Sequence, residues 1–154
     1  NTNDKKQINI NKLTSTSSLS NLNRDSLFLK FKNLLLKQKN EKLKTYEVKT
    51  STLDNYFEKL NLENSLIKID VEGYELNVLN GSKNIINKIN FILIENHFFN
   101  IYENNNNNEC HDFLVKNNFK LIKKFRFPLL HFEDRLYKNN TIWNLKLKNQ
   151  ILSV

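Results

Sequence analysis

Two short apolar runs that each end in an acid constrain the fold more than any other feature of this sequence. The first is Leu-Ile-Lys-Ile-Asp-Val at 66–71, and the second is Phe-Ile-Leu-Ile-Glu at 91–95. Compact apolar runs of this length are typical of buried strands in a parallel sheet. The stretch between them fits a helix with a break at Gly81, and its core-facing residues are Leu76, Leu79, Ile86 and Ile89. The order predicts a βαβ unit, whose two strands run parallel and whose crossover is right-handed.

Weaker patterns predict further elements before this unit. Ile8 and Ile10 alternate with polar neighbours, which predicts a strand at 7–11, and Tyr46 and Val48 mark another. The stretch 24–44 fits two patterns. Leu27, Leu29 and Phe31 alternate as in a strand. Leu27, Phe31, Leu34 and Leu35 instead fit one face of a helix. We favour a helix after Phe31.

Thr52 is the predicted N-cap of a short helix, and Asp54 suits the first turn of that helix electrostatically. The apolar residues that share a face of this helix are Leu53, Tyr56, Phe57 and Leu60.

After Glu95, the asparagine run at 104–108 cannot pack a core and predicts a loop. A helix is predicted around Cys110, Phe113 and Leu114. Strands are predicted at 119–125 and 135–137, on either side of a turn at Pro128. The alternation of Trp143, Leu145 and Leu147 predicts a final edge strand.

Composition excludes little. The net charge is +8, but Lys greatly outnumbers Arg, the residue that bidentate phosphate and base recognition favours, so a solvated basic face is expected rather than a nucleic-acid site. The single cysteine, Cys110, excludes an intrachain disulfide, and we expect a buried, inert thiol. No apolar run approaches the length of a membrane span, and the cytoplasm is assumed by default.

The chain of 154 residues is long enough for one domain, and it contains no Met. We therefore expect a piece of a longer protein, with its amino-terminal strands missing and its sheet edge exposed. A chain of that kind is expected to self-associate when it is expressed alone.

The segment Ile69–Glu75, continued by Val-Leu-Asn-Gly at 78–81, closely resembles the signature of FkbM-type methyltransferases. Upstream, Val48 through Asp54 is similar to the strand and helix that precede this signature. Downstream, Phe91 through His97 is similar to the strand that follows it. Ser17-Ser18-Leu19 resembles a serine-rich segment nearer the amino terminus of the family. The specific resemblance covers 45–98, and the flanks are similar only loosely.

The resemblance implies an α/β, Rossmann-like sheet that is mostly parallel, with an antiparallel edge strand near the carboxyl terminus. It also implies methyl transfer from S-adenosylmethionine to an oxygen, commonly a hydroxyl on a sugar or other secondary metabolite. On this basis residues 1–154 form a single, truncated methyltransferase domain, with a signature region at 45–98, a variable insertion at 24–44 and an asparagine-rich loop at 104–108. Such enzymes hold the cofactor with a glycine-rich loop, whereas Gly73 and Gly81 both lie within the signature, so the cofactor-binding residues are unknown.

Candidate site residues follow from topology, because ligands of open parallel sheets bind at the carboxyl ends of the strands. Asp70 and Glu95 end the two predicted strands, and His97 follows closely. We expect these three to be catalytic, with Asp70 as acceptor contact or base and the others orienting the substrate. Glu72 and Asn96 are candidate substrate contacts, so the expected partner is a small-molecule or glycan acceptor.

Structural roles compete with these. Asp70 can cap a helix that starts near Glu72, and both Glu72 and Glu75 fit the positive end of that helix. Gly73 permits a tight turn, and His97 beside two phenylalanines fits a partly buried, hydrogen-bonded histidine.

No metal is expected, because Cys-His-Asp at 110–112 is not a recognised ligand spacing and the three histidines are scattered along the chain. These histidines are His97, His111 and His131.

Two other functions stay open. The chain can be a non-catalytic relative that keeps the sheet as a binding or assembly module. It can also be an anion-binding domain that uses the basic stretch 30–49, for which salt-dependent nucleic-acid binding is the test.

Overall fold

The computed structural model describes residues 5–11, 17–36, 42–103, 107–126 and 131–143. Strands and helices alternate along most of this length. In chain order they are β1 (Lys5–Asn11), α1 (Leu27–Leu36), β2 (Lys42–Lys49), α2 (Leu53–Tyr56), β3 (Leu66–Ile69), α3 (Glu75–Asn80), a 3-10 helix (Ile86–Lys88), β4 (Phe91–His97), α4 (Asn107–Lys116), β5 (Phe119–Arg126) and β6 (Phe132–Asn139).

The central sheet contains four strands in the order β3-β4-β6-β5. β3 and β4 pair in parallel, from Leu66 opposite Phe91 to Ile69 opposite Ile94, which confirms the predicted βαβ unit. β6 pairs antiparallel with both β4 and β5. The prediction of a mostly parallel sheet is therefore not confirmed, since one of these three pairs is parallel.

The antiparallel strand β6 lies inside the sheet, between β4 and β5. The sequence predicted an antiparallel strand at the edge, so that prediction is wrong. Only five residues separate the end of β5 from the start of β6, and a connection that short allows only antiparallel pairing. Among the described residues, the outer strands of this sheet are β3 and β5.

A second, two-stranded sheet is formed by β1 and β2, which pair antiparallel from Lys5 opposite Lys49. Both strands were predicted from their alternating patterns. The segment between them contains α1, which begins at Leu27, earlier than predicted.

The helical face predicted for α1 is exposed. Leu27 is 81% exposed, Leu34 78% and Phe31 63%. The helix instead packs through Leu29 and Phe28 against Ile101 and Tyr102. The pattern gave the correct element and the wrong buried face, because the helix uses the side that meets the 98–103 loop.

The main core lies under the crossover between β3 and β4. Leu79, Ile86 and Ile89 are at most 1% exposed, and they pack with Ile92 of β4 as the sequence predicted. The crossover is more broken than one helix: α3 ends with Gly81 as its C-cap, and a 3-10 turn follows.

Thr52 caps α2 as predicted, and its hydroxyl oxygen accepts the N–H of Asn55 at 3.2 Å. The helix is only one turn long. Leu53 and Phe57 pack against the core, whereas Tyr56 is 72% exposed.

The carboxyl-terminal elements agree with the sequence in part. α4 begins at Asn107, so the last two residues of the predicted asparagine loop are helical, and 104–106 lie outside the described residues. Cys110 is buried within this helix, and burial raises the pKa of its thiol to about 12, as an inert thiol requires.

Trp143 lies in a helical turn at 140–143, so the predicted final strand does not begin there. The other two residues of that prediction, like Pro128 and its turn, lie outside the described residues. None of the helices in the described ranges is long and apolar enough to cross a membrane.

Glu133 of β6 is fully buried and joins β5 to β6 through charge. Arg126 Nε lies 2.6 Å from Glu133 Oε2, Arg135 Nε lies 2.8 Å from Oε1, and Lys124 Nζ lies 3.7 Å from Oε1. Burial alone raises the pKa of Glu133, but these cations outweigh it and the net pKa is lowered.

Glu133→Gln is therefore expected to destabilise the chain by about 1–3 kcal/mol at neutral pH, because hydrogen bonds to a charged group are lost. The lowered folded pKa means that this stabilisation is present above the ordinary value of 4.5 and disappears as the pH falls through the folded pKa. Urea unfolding of the unmodified chain and of Glu133→Gln across pH 2.5–7 measures this difference in stability. Glu63→Gln, at an exposed glutamate, should change stability by less than about 0.5 kcal/mol.

Candidate active site at the end of β3

A cavity of about 470 Å³ opens at the carboxyl end of β3. Its walls come from β1, from segments 17–19 and 50–53, and from the residues that follow β3. Asp70 and Glu72 both line it. The position agrees with the rule that ligands bind at the carboxyl ends of parallel strands, and the volume is that of an ordinary small-molecule site.

The chain turns sharply between β3 and α3. Glu72 has φ +54° and Gly73 has φ +87°, so two successive residues adopt the left-handed conformation. The Ser18 hydroxyl donates to the Glu72 carbonyl oxygen at 2.6 Å, and the Ser20 hydroxyl donates to the Gly73 carbonyl oxygen at 2.7 Å. Glu75 Oε1 accepts the N–H of Gly73 at 3.0 Å. This turn, residues 71–74, is therefore held by side chains from both of its flanks.

Tyr102 covers the turn from the other side. Its ring occupies the space beside Gly73 where a Cβ atom would stand, and its hydroxyl donates to Glu72 Oε2. Burial, followed by this hydrogen bond, raises the pKa of Tyr102, so its hydroxyl remains a donor at neutral pH. Leu22 forms a bridge with Tyr102, and Asn23 N–H donates to the Ile101 carbonyl at 2.8 Å.

Two side chains of β4, those of Glu95 and His97, lie close to the carboxylate of Glu72. His97 Nε2 lies 3.2 Å from Glu95 Oε2 and 3.8 Å from Glu72 Oε2. Glu95 and His97 are 7% and 6% exposed. Burial alone lowers the pKa of His97, but the two glutamates outweigh it and the net pKa is raised. Burial also raises the pKa of Glu72, although the Tyr102 hydroxyl opposes this. We call Glu72, Glu95 and His97 the Glu-His cluster.

Aromatic rings surround the histidine of the Glu-His cluster. The His131 ring stacks on His97 with centroids 5.7 Å apart, and Phe132 meets it edge-on at 6.3 Å. His111 lies elsewhere, with Nδ1 2.9 Å from the Tyr137 hydroxyl. The expectation that the histidines are scattered is thus wrong for His97 and His131, because the β4–β6 pairing places their residues together.

Asp70 does not cap a helix, which corrects one of the expected roles. α3 begins at Glu75, its N-cap is Tyr74, and that residue makes no side-chain capping bond. Asp70 Oδ2 instead accepts a hydrogen bond from Lys68 Nζ at 2.8 Å. Glu75 does lie in the first turn as expected, whereas Glu72 precedes the helix in a left-handed conformation.

The predicted site residues divide into two groups. Asp70 and Glu72 line the cavity, whereas Glu95, Asn96 and His97 are buried and are not among its lining residues. Glu72 belongs to both groups, because it lines the cavity and its Oε2 lies 3.8 Å from His97 Nε2.

Sequence reasoning missed the residues that hold the turn. The serine-rich segment was noticed only as a likeness, and its hydroxyls turn out to bind the backbone after β3. Tyr102 gave no signal, since it lies in an irregular loop with no periodic pattern.

The two glycines do not form a cradle for S-adenosylmethionine. A Cβ added to Gly73 would overlap the Tyr102 ring, so the protein itself fills the space that glycine leaves. A Cβ on Gly81 would meet Thr52 at 3.4 Å, an ordinary contact. Neither glycine offers the close backbone approach of a glycine-rich cofactor loop. The described residues therefore do not fit that part of a cofactor site.

The Glu-His cluster has the donor types of a metal site, since its carboxylate oxygens and imidazole nitrogen lie within 4.8 Å of one another. The sequence predicted no metal and did not bring these residues together, because they come from a turn and a strand and follow no short spacing motif.

Gly73→Ala should lower stability by about 2 kcal/mol or more, because a left-handed φ is costly for alanine and the new methyl group would collide with Tyr102. Gly81→Ala is the matched control: φ is −83° there, and the change should be neutral or slightly stabilising. Chemical denaturation of the three proteins measures both effects, and equal losses would contradict the account of the turn.

Comparison with known proteins adds one finding. No curated protein and no solved structure significantly matches the chain. The family model for the Methyltransferase FkbM domain matches residues 2–121, which extends well beyond the 45–98 region that carried the resemblance. With the match covering most of its length, the chain belongs to the FkbM methyltransferase domain family.

Proposed function

We propose that the cavity at the end of β3 holds the acceptor in a methyl transfer from S-adenosylmethionine to a hydroxyl group, on a sugar or another small metabolite. Methyltransferase activity follows from the family. The observation that carries the finer proposal is the position of the signature acid Asp70 on the wall of a ligand-sized cavity, where neighbouring Glu72 directs its carboxylate to His97. Carboxylates accept hydrogen bonds from hydroxyl groups, which suits an alcohol acceptor.

Methyl transfer to an alcohol needs an oxygen lone pair aimed in line at the methyl carbon, and the hydroxyl proton must leave. Positioning supplies much of the rate, and a base adds to it. Asp70 is the proposed base or acceptor contact. Lys68 holds Asp70 Oδ2 at 2.8 Å, which fixes the carboxylate and leaves Oδ1 for the acceptor hydroxyl.

Glu95 and His97 act in this proposal as positioning residues, because both are buried and outside the cavity lining. His97 Nε2 lies 3.8 Å from Oε2 of Glu72, and Glu72 lines the cavity. Asn96, equally buried, is proposed to support the same wall and not to touch the acceptor.

S-adenosylmethionine supplies an electrophilic methyl group when it is bound. No described residue is assigned to hold it, since the two glycines do not form its cradle.

Transfer is tested with S-adenosylmethionine carrying a tritiated methyl group and a panel of sugars and hydroxylated metabolites. The expected product is a labelled methyl ether, which survives alkali, whereas a methyl ester does not. Asp70→Asn should lower the rate about 100-fold or more, because asparagine cannot accept the proton. Asp112→Asn, at an exposed aspartate of α4 away from the cavity, should leave the rate unchanged.

Full turnover by Asp70→Asn would remove that residue from the mechanism. A label found only in alkali-labile products would overturn hydroxyl methylation. Binding of a panel sugar to the cavity without any transfer would favour the non-catalytic module instead.

A further inference from the structure

In the Glu-His cluster two carboxylates share one histidine, and no other cation among the described residues lies within 4.0 Å of them. Glu133 shows how this protein treats a buried glutamate elsewhere, with two arginines and a lysine within 4.0 Å. Glu95 is almost as deeply buried, yet its one ionic contact among the described residues is His97. Glu72 shares that same histidine. Buried carboxylates are normally paired or bound to metal, because isolated charge is costly away from water.

Hydrogen bonding inside the cluster is incomplete as well. Glu95 Oε2 and both ring nitrogens of His97 are buried without a hydrogen bond of good geometry. Most buried polar atoms in proteins have such a partner, and exceptions call for an explanation such as an ion. Two of these atoms, Glu95 Oε2 and His97 Nε2, lie 3.2 Å apart on residues that are 7% and 6% exposed, which points to a ligand that both atoms bind.

The spacing fits a cation. Bonds of about 2.0–2.2 Å to oxygen and nitrogen place tetrahedral ligand atoms about 3.4 Å apart. His97 Nε2 is 3.2 Å from Glu95 Oε2 and 3.8 Å from Glu72 Oε2, and all three ligand atoms lie within 4.8 Å. A cation there would satisfy Glu95 Oε2 and His97 Nε2 together.

We propose that Glu72, Glu95 and His97 bind one divalent cation of the Zn²⁺ or Mn²⁺ class. Two carboxylates supply the charge that balances it, and one imidazole favours these ions over Mg²⁺ and Ca²⁺, which prefer oxygen alone. Tyr102 donates to Glu72 Oε2 and so orients that ligand, as partners outside a metal's own ligands commonly do.

The cation ties strand β4 to the turn at 71–74. Glu95 and His97 are fixed in the sheet, whereas Glu72 lies in the left-handed turn that borders the cavity. Bound metal therefore holds the cavity wall in place. The site stands independently of methyl transfer, because it is defined by charge and geometry within the cluster.

The test measures metal binding by the full chain, without any methyl acceptor. The protein is stripped with a chelator, and Zn²⁺, Mn²⁺ and Mg²⁺ chlorides are titrated separately by calorimetry, with bound metal counted by mass spectrometry. One Zn²⁺ or Mn²⁺ per chain is expected, bound at least about tenfold more tightly than Mg²⁺. The melting temperature should rise with metal concentration, because the cation binds only the folded chain.

Variants then locate the site. Glu95→Gln should weaken binding about 100-fold or more, and Tyr102→Phe, a milder change, should weaken it about 10–100-fold. His111→Gln is the control, since this histidine lies outside the cluster and should leave both stoichiometry and affinity unchanged.

If Glu95→Gln fails to fold, the Tyr102→Phe result and the absorption spectrum of Co²⁺ bound to the unmodified chain decide. Weak bands typical of oxygen and nitrogen ligands support the cluster. Absence of saturable binding, a sulfur-to-cobalt band from Cys110, or unchanged affinity in Tyr102→Phe would overturn the proposal.

Discussion

The parallel pairing of β3 with β4 is the constraint on which the site depends. Because the strands run side by side from Leu66 and Phe91, the residues that follow the last register pair, Asp70 and Glu95, come out at the same edge of the sheet. The crossover that makes this possible is stabilised by fully buried side chains, among them Leu79 and Ile86. Burial of a side chain of this size contributes about 1.5–3 kcal/mol, so the site rests on a well-packed core.

The turn after β3 converts this pairing into a site. Left-handed conformations at Glu72 and Gly73 redirect the chain, and they persist because Ser18, Ser20 and Tyr102 hold them from both sides. Strain of this kind is maintained only where surrounding contacts fix it, and it is found most often at functional sites. As a result, Asp70 lines the cavity, whereas the carboxylate of Glu72 lies beside His97.

Electrostatics gives the two buried acidic centres different characters. Glu133 is surrounded by cations and has a lowered pKa, so it stabilises the β5–β6 pair as a simple charge. In the Glu-His cluster one imidazole lies between two carboxylates: the glutamates raise the pKa of His97 against the effect of burial, and burial raises the pKa of Glu72. The same residue type thus stabilises a strand pair in one place and, in our proposal, binds a cation in the other.

Local sequence determined the elements that depend on local physics. Apolar runs gave β3 and β4, periodicity gave the buried residues of the crossover, and Thr52 gave the helix cap, because each signal lies within one element. The signature indicated the family, and the ends of the two predicted strands made Asp70 and Glu95 candidate site acids. Tertiary structure decided which face of α1 is buried, where β6 pairs, and that the acids separate into a cavity wall and a buried cluster. Those outcomes depend on contacts between residues 20 to 80 positions apart, such as Ser20 with Gly73 and Tyr102 with Glu72, and no local pattern encodes such distances.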